Sequence, residues 1–335
     1  MVPGGGGKLE LKDGALVAAR DERALARGAI RLFGRPRRLV AIGATALLAG
    51  IPAAGNAGSL RAAHGGSTSN VYLLNVSTGS QRLLTHNREG DEDALAYSPM
   101  LSPDGRRLAF AETRCHYCSS VIRVSAVGAS NWLGRAVAPG FKPAWTPDGR
   151  RLVFVRPDGA IAVTTQNLAK PRALVHGGLA NDTPSWDPQG KRLVFSRQLS
   201  ASNWQIFTVR SDGSELHAVT RGTRSALDPA WSPDGRRLAF ARQEPGGRWQ
   251  ICVGDLSGDP VRCLGSHSSD TQPAWSPDGR WIAFVRQGSF WSSLWIVRPD
   301  GSRAHRIAPP RAVALSALQP RWAGSPDKLV FVGRA

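Results

Sequence analysis

A twelve-residue pattern returns six times along the 335-residue chain, and nothing else in the sequence limits its fold as strongly. The copy "PAWSPDGRRLAF" from Pro229 is matched by "PMLSPDGRRLAF" from Pro99, "PAWTPDGRRLVF" from Pro143, "PSWDPQGKRLVF" from Pro184 and "PAWSPDGRWIAF" from Pro273. The sixth, "PRWAGSPDKLVF" from Pro320, slides its Pro-Asp by one place and keeps the spacing. Ser232-Pro233-Asp234-Gly235 reads as a turn. Proline presets φ, aspartate supplies a short acceptor, and glycine tolerates the positive φ at the exit. Leu238 and Phe240 then alternate with Ala239 and Ala241, the period-two pattern of a strand with bulk on one face and small residues on the other.

The copies lie 44, 41, 45, 44 and 47 residues apart. A period in the forties made of several short strands is what propeller blades produce. In the unit that starts at Pro229, four strands are expected over residues 230–232, 237–242, 249–254 and 260–264. After the last copy only "KLVFVGRA" remains, enough for two strands, and "NVYLLNV" from Asn70 with "QRLLT" from Gln81 supplies two more ahead of the first. The expected fold is therefore all-β. It is a six-bladed β-propeller of four-stranded antiparallel blades, whose last blade is closed by the N-terminal strands and leaves no open sheet edge.

These units resemble the TolB-type propeller repeat, a WD-like repeat with a "PxWSPDGxxLAF" core and a short closing signature, here Leu84-Thr85 and Val219-Thr220. The resemblance covers residues 70–335. It implies an envelope propeller that binds proteins. A full TolB protein is expected to carry an α/β domain ahead of its propeller, for which residues 1–69 leave no room, so its peptidoglycan-associated lipoprotein partner is not carried over.

The formal net charge is +18, with 37 arginines among the 43 basic residues, many of them in the repeated turns. All the turns should emerge on one face, ringed by Arg106, Arg107, Arg150, Arg151, Arg236, Arg237 and Arg280 and offset by Asp104, Asp148, Asp234, Asp278 and Asp327. An anion-binding face is one reading. A solvated surface is the reading adopted, because each turn matches its arginines with an aspartate and no aromatic residue interleaves them as base stacking would require. No nucleic-acid partner is expected.

The N-terminus divides into a basic segment over residues 1–38, expected to be disordered or helical, an apolar segment over 39–57, and a linker over 58–69. Four arginines in "RLFGRPRR" precede the uncharged "LVAIGATALLAGI", and "PAAGNAG" follows with small residues. That order is an export signal or, if uncleaved, an N-terminal membrane anchor. Both place the propeller outside the cytoplasm, periplasmic or extracellular, and a monomer is expected.

Two local cysteine pairs agree with export. Cys252 and Cys263 fall opposite each other on neighbouring strands of one blade and are expected to form a disulfide. Cys115 and Cys118 lie in one loop, where a loop-stapling disulfide is favoured over a redox pair or a zinc half-site, which would need two further ligands.

No nucleophile elbow, His-Glu-x-x-His or phosphate loop occurs, so no catalytic residue, cofactor or metal is expected. His86, His176 and His267 all follow outer strands and share a rim, which keeps open a propeller enzyme of the lyase kind. Binding is expected on the face opposite the turns, which carries the longer loops. There Phe290 and Trp291 are candidate anchors for a peptide or sugar, or else pack across the blade interface, and His86 opens another of the long loops. Asp93, Asp182, Asp228 and Asp270, just before the inner strands, would line the mouth of the central channel or else cap the entering turns. Trp145, Trp186, Trp231, Trp275, Trp322, Trp204, Trp249 and Trp295 are assigned to the core. Together these features favour a non-catalytic scaffold for an envelope protein or peptide, with a propeller enzyme or carbohydrate binder as the alternative.

Overall fold

The structure is a computed structural model that describes residues 9–12, 15–18, 69–86, 95–113, 119–257, 261–265, 268–288, 292–307 and 319–334. The chain divides into two compact units, residues 1–42 and 43–335. In the first, β1 (Leu9–Lys12) and β2 (Ala15–Ala18) pair antiparallel with Lys12 opposite Ala15. The basic segment expected to be disordered or helical thus contains a hairpin. The signal is Asp13-Gly14, a dipeptide that favours two-residue hairpin loops, set between short runs carrying Leu9, Leu11, Leu16 and Val17.

The second unit is all-β. It opens with β3 (Ser69–Asn75) and β4 (Gln81–Leu83), followed by β5 (Leu95–Leu101), β6 (Arg107–Thr113), β7 (Val121–Ala126) and β8 (Arg135–Pro139). Next come β9 (Phe141–Trp145), β10 (Leu152–Val155), β11 (Ile161–Val163) and β12 (Arg172–Val175), then β13 (Ala180–Trp186), β14 (Arg192–Ser200), β15 (Asn203–Arg210) and β16 (His217–Ala218). β17 (Ala226–Trp231), β18 (Leu238–Gln243), β19 (Trp249–Gly254) and β20 (Arg262–Cys263) precede β21 (Ser269–Trp275), β22 (Ile282–Gln287), β23 (Ser292–Val297) and β24 (His305–Arg306). β25 (Arg321–Trp322) and β26 (Lys328–Arg334) complete the set.

Four sheets are separate and four-stranded: β9 to β12, β13 to β16, β17 to β20 and β21 to β24. A fifth sheet is eight-stranded. In it, β25, β26, β3 and β4 form one array and β5 to β8 another, joined by the parallel bridge of Ser69 with Leu95. This is a β-propeller. β26 runs antiparallel to β3 in unbroken register from Lys328 opposite Asn75 to Arg334 opposite Ser69. Tyr72 and Phe331 are direct partners, their rings stacked with centroids 5.5 Å apart. The N-terminal and C-terminal ribbons therefore share one sheet.

The repeat's proline and phenylalanine explain each other. In the sheet of β17 and β18, Leu227 pairs with Ala241 and Ala230 with Ala239, so Asp228 and Pro229 together oppose Phe240. The same two-against-one count sets Ser98-Pro99 against Phe110, Lys142-Pro143 against Phe154, Thr183-Pro184 against Phe195 and Gln272-Pro273 against Phe284. Each is a β-bulge, one of the places within a sheet where a residue lacking N–H fits. The opposing phenylalanines are buried, as is Phe331. The residue before each proline has positive φ: 52° at Ser98, 53° at Lys142, 47° at Thr183, 55° at Asp228, 57° at Gln272 and 36° at Gln319. Inner strands consequently begin earlier than the proline, with β17 starting at Ala226 rather than at residue 230.

Neighbouring sheets are tied by the remaining repeat residues. Trp145 Nε1 donates to the Met100 carbonyl at 3.1 Å, and Trp322 Nε1 to the Ala274 carbonyl at 2.9 Å. The guanidinium of Arg107 lies 4.4 Å from the Trp145 ring, and that of Arg237 lies 4.9 Å from the Trp275 ring. The second basic residue of the motif is thus used between blades in these two copies. Among the eight tryptophans assigned to the core, Trp145, Trp186, Trp231, Trp249 and Trp275 are buried, and Trp204, Trp295 and Trp322 are half-buried.

Cys252 and Cys263, direct partners across β19 and β20, form the expected disulfide. Cys115 and Cys118 lie outside the described residues.

Two outcomes follow. A double-mutant cycle on Tyr72→Ala and Phe331→Ala, read by urea unfolding, should give about 3–5 kcal/mol of destabilisation for Phe331→Ala alone. The coupling between the two should be about 0.5–1.5 kcal/mol beyond additivity; strict additivity would mean the terminal ribbons do not pair. Reduction of the disulfide should destabilise the fold by about 2–3 kcal/mol. Because β20 holds β19 through only two paired residues, amide exchange at residues 261–265 should accelerate on reduction while that of β17 and β18 stays slow.

Candidate functional site: the axial cavity

The inner strands β5, β9, β13, β17, β21 and β25 surround a cavity of about 300 Å³. It extends from the pre-proline residues Ser98, Lys142, Thr183, Asp228, Gln272 and Gln319 to the turn prolines Pro103, Pro147, Pro188, Pro233 and Pro277. A bulge re-aims the side chain it carries. The five bulges and the equivalent Gln319 accordingly present serine, lysine, threonine, aspartate and two glutamine side chains to one cavity.

Several of these residues are linked head to tail around the axis. Gln272 N–H donates to Asp228 Oδ2 at 3.3 Å, Gln319 N–H to Gln272 Oε1 at 2.9 Å, and Ser98 N–H to Gln319 Oε1. Asp228 N–H instead donates to Ser196 Oγ at 3.1 Å, and that hydroxyl shares a hydrogen bond with Thr183 Oγ1 at 3.1 Å. A left-handed residue before proline is unfavourable on both counts. At Ser98, Asp228, Gln272 and Gln319 its amide is compensated by a side chain from a neighbouring repeat.

Charge is distributed unevenly around this ring. Arg321 follows Pro320 and lines the cavity, as does Lys142. Burial pulls the Arg321 pKa below the ordinary guanidinium range, against the opposing attraction of Asp228 and Asp182. Asp182 is buried beside the cavity, its Oδ1 accepting Thr183 N–H at 2.8 Å and its Oδ2 lying 4.0 Å from Lys142 Nζ. Burial pushes the Asp182 carboxyl up from its usual value; Lys142 opposes this and Asp228 adds to it.

The four aspartates expected at the channel mouth are not equivalent. Asp228 holds the bulge position and lines the cavity. Asp182 stands one residue earlier and caps the amide of Thr183. Asp270 stands two residues before Gln272 and pairs with Arg286, Nε to Oδ1 at 2.8 Å and Nη2 to Oδ2 at 2.9 Å. It does not line the cavity, because a one-residue step along a strand reverses the side chain's direction and the bulge resets it. Asp93, Phe290 and Trp291 lie outside the described residues.

His86 and His176 are exposed, and His267 lies outside the described residues. Among the described residues no group of His, Cys, Asp or Glu side chains could hold a metal ion. The apolar segment over 39–57 also lies outside them, and no described helix is long and apolar enough to cross a membrane. Binding was expected on the longer-loop face, whereas this cavity runs to the turns.

On that face the turns carry their charge as small local networks. Hydroxyls of Ser102, Thr146 and Ser232 donate to Asp104, Asp148 and Asp234, holding those carboxylates below their usual range beside the basic pairs.

Lys142 and Arg321 were not singled out from the sequence, although a signal was present. The position after the repeat proline is Met100, Ala144, Ser185, Ala230 and Ala274 elsewhere, and arginine only in the last copy.

A TolB protein from Agrobacterium tumefaciens shares the fold at a TM-score of 0.67, with 18% identity over 81% of this chain and 99% of its own. TolB from Acinetobacter baumannii gives a TM-score of 0.57, with 16% identity over 90% of this chain and 70% of its own. A puromycin-hydrolyzing peptidase from Mycobacterium tuberculosis gives 0.51, with 19% identity over 72% of this chain but 42% of its own. No curated protein matches the chain in sequence. The family model for the TolB beta propeller domain matches residues 86–325, and the chain belongs to that family.

Proposed function

We propose that this chain is an exported, non-catalytic scaffold, a six-bladed propeller that holds a protein or peptide partner at the cell envelope through its axial cavity. The count of six rests on reading the eight-stranded sheet as two blades that meet at the Ser69–Leu95 bridge. Contacts between successive turns support it. Cβ atoms built at Gly149, Gly190 and Gly279 would fall 3.4, 3.5 and 3.3 Å from Pro103, Pro147 and Pro233 of the preceding copies. One at Gly324 would fall 3.1 Å from the Pro103 carbonyl, bringing the last copy back to the first.

The observation that carries the functional reading is the contrast between frame and ring. Tryptophan, proline, glycine and phenylalanine recur from copy to copy, while the residues at the bulge are Ser98, Lys142, Thr183, Asp228, Gln272 and Gln319. A repeated frame that turns six polar side chains of five kinds into one cavity is suited to recognising an asymmetric ligand. Sites of this kind combine apolar walls with a few fixed polar groups. Here the walls are the prolines and tryptophans of the inner strands.

The test uses the full chain as bait in envelope extract from its own host, together with cell fractionation. One dominant protein partner and an envelope location are expected. Replacing both Gln272 and Gln319 with alanine should weaken capture by about tenfold or more, the scale of a lost pair of buried hydrogen bonds. A tightly held divalent ion together with turnover of a peptide or polysaccharide would replace the scaffold with an enzyme.

A further inference from the structure

Arg321 is out of place in its own repeat. Alanine fills the equivalent position at residues 144, 230 and 274, and the frame needs nothing larger there. A guanidinium carries N–H donors along both of its edges. The hydrogen bond Arg321 makes among the described residues is from Nη1 to the Pro320 carbonyl at 2.9 Å. Asp182 and Asp228 attract it through space, yet among the described residues neither forms an ion pair with it. The result is a guanidinium set into the wall of a cavity with donors to spare.

Its neighbours extend the pattern. Gln319, two residues earlier, bonds the amide of Ser98, which places the sheets of Arg321 and Ser98 side by side. The Ser98 hydroxyl is buried against the cavity and has no hydrogen-bond partner among the described residues. Lys142 stands at the same bulge position in the next sheet along. Arg321, Ser98 and Lys142 thus occupy three consecutive sectors of the ring, and Asp182 and Asp228 occupy the two that follow. Arg321, Lys142 and the Ser98 hydroxyl line one arc of the cavity and Asp228 the other, while Asp182 is buried beside the lining, 4.0 Å from Lys142 Nζ.

We propose that the axial cavity binds a carboxylate carried by a peptide, gripped by Arg321 with Ser98 Oγ and Lys142 beside it. This deepens the scaffold reading above and rests on it. A guanidinium matches a carboxylate through two parallel hydrogen bonds, and a buried one gains more from the match than an exposed one. The single charge suits the setting, because a doubly charged phosphate would face Asp228 across a cavity of only about 300 Å³. The opposite arc is left to take the peptide's amide donors.

The carboxylate can belong to a chain terminus or to an acidic side chain, and three acetylated tetrapeptides separate the sources. The first is tetra-alanine with a free C-terminus, the second is the same peptide amidated, and the third is amidated with one aspartate replacing an alanine. Titrated into the full chain by calorimetry, the first or the third should bind at least about tenfold more tightly than the neutral second. Whichever wins names the source. Arg321→Ala should erase that preference without lowering the urea midpoint, since alanine stands at the equivalent positions elsewhere, and Arg321→Gln should erase it as well. The assignment is overturned if the neutral peptide binds as tightly as both others, if none binds, or if the preference survives both substitutions. Equal binding of all three leaves the cavity a peptide site and removes only the carboxylate. If none binds, envelope capture by wild type and by Arg321→Ala judges the scaffold reading on its own.

Discussion

A proline inside a sheet has no N–H to give to the ladder, and this molecule is organised around where it puts that defect. In five of the inner strands the defect becomes a bulge, with proline and its predecessor together facing one buried phenylalanine. The bulge requires positive φ at the residue before proline, a combination that costs about 1–3 kcal/mol per site when nothing compensates it. Compensation comes from neighbouring blades. Amides of Gln272, Gln319 and Ser98 each find a side chain from the blade before them. Apart from Thr183, whose amide is capped by Asp182 of its own strand, these bonded amides depend on the neighbouring blade, which links local backbone geometry to the global fold.

The same linkage explains why the terminal ribbons must meet. β26 and β3 share the longest unbroken register of any strand pair that joins the two ends of the chain, and Val71, Leu74, Leu329, Val330 and Phe331 are all buried there. Without this pairing, two inner sectors would lose both their hydrophobic cover and their hydrogen-bond partners. Loss of an edge in a propeller also exposes unpaired strands to other chains.

Much of the frame was legible because periodicity and turn chemistry are local. The tryptophan-to-phenylalanine spacing placed the second and third strands to within a residue or so, with β19 falling on residues 249–254 as expected. The pairing of Cys252 with Cys263 followed from the register of one hairpin. Inner strands were misjudged, since proline read as a strand start when it marks the middle of a bulged strand that begins at Ala226. That error carried into the site. Asp182, Asp228 and Asp270 look alike as acids ahead of a strand, but the pleat and the bulge send them to a backbone cap, the cavity and an Arg286 ion pair respectively. The hairpin of β1 and β2 was missed for a different reason, because arginine content outweighed an Asp-Gly signal in a segment read by composition.

The arrangement separates two tasks that compete in most folds. Residues that close the ring are fixed by packing and recur with the repeat, whereas the residue before proline needs only a side chain that does not clash or, as at Asp228, Gln272 and Gln319, one that accepts the next blade's amide. Serine, lysine, threonine, aspartate and glutamine all satisfy that requirement here. The position after proline is under similarly light demand, which is why an arginine at 321 can replace alanine without disturbing the hydrogen bond from the adjacent Trp322 indole to Ala274. Chemistry at the axis can therefore change one sector at a time, and an asymmetric set of charges can arise on a scaffold whose backbone is nearly symmetric.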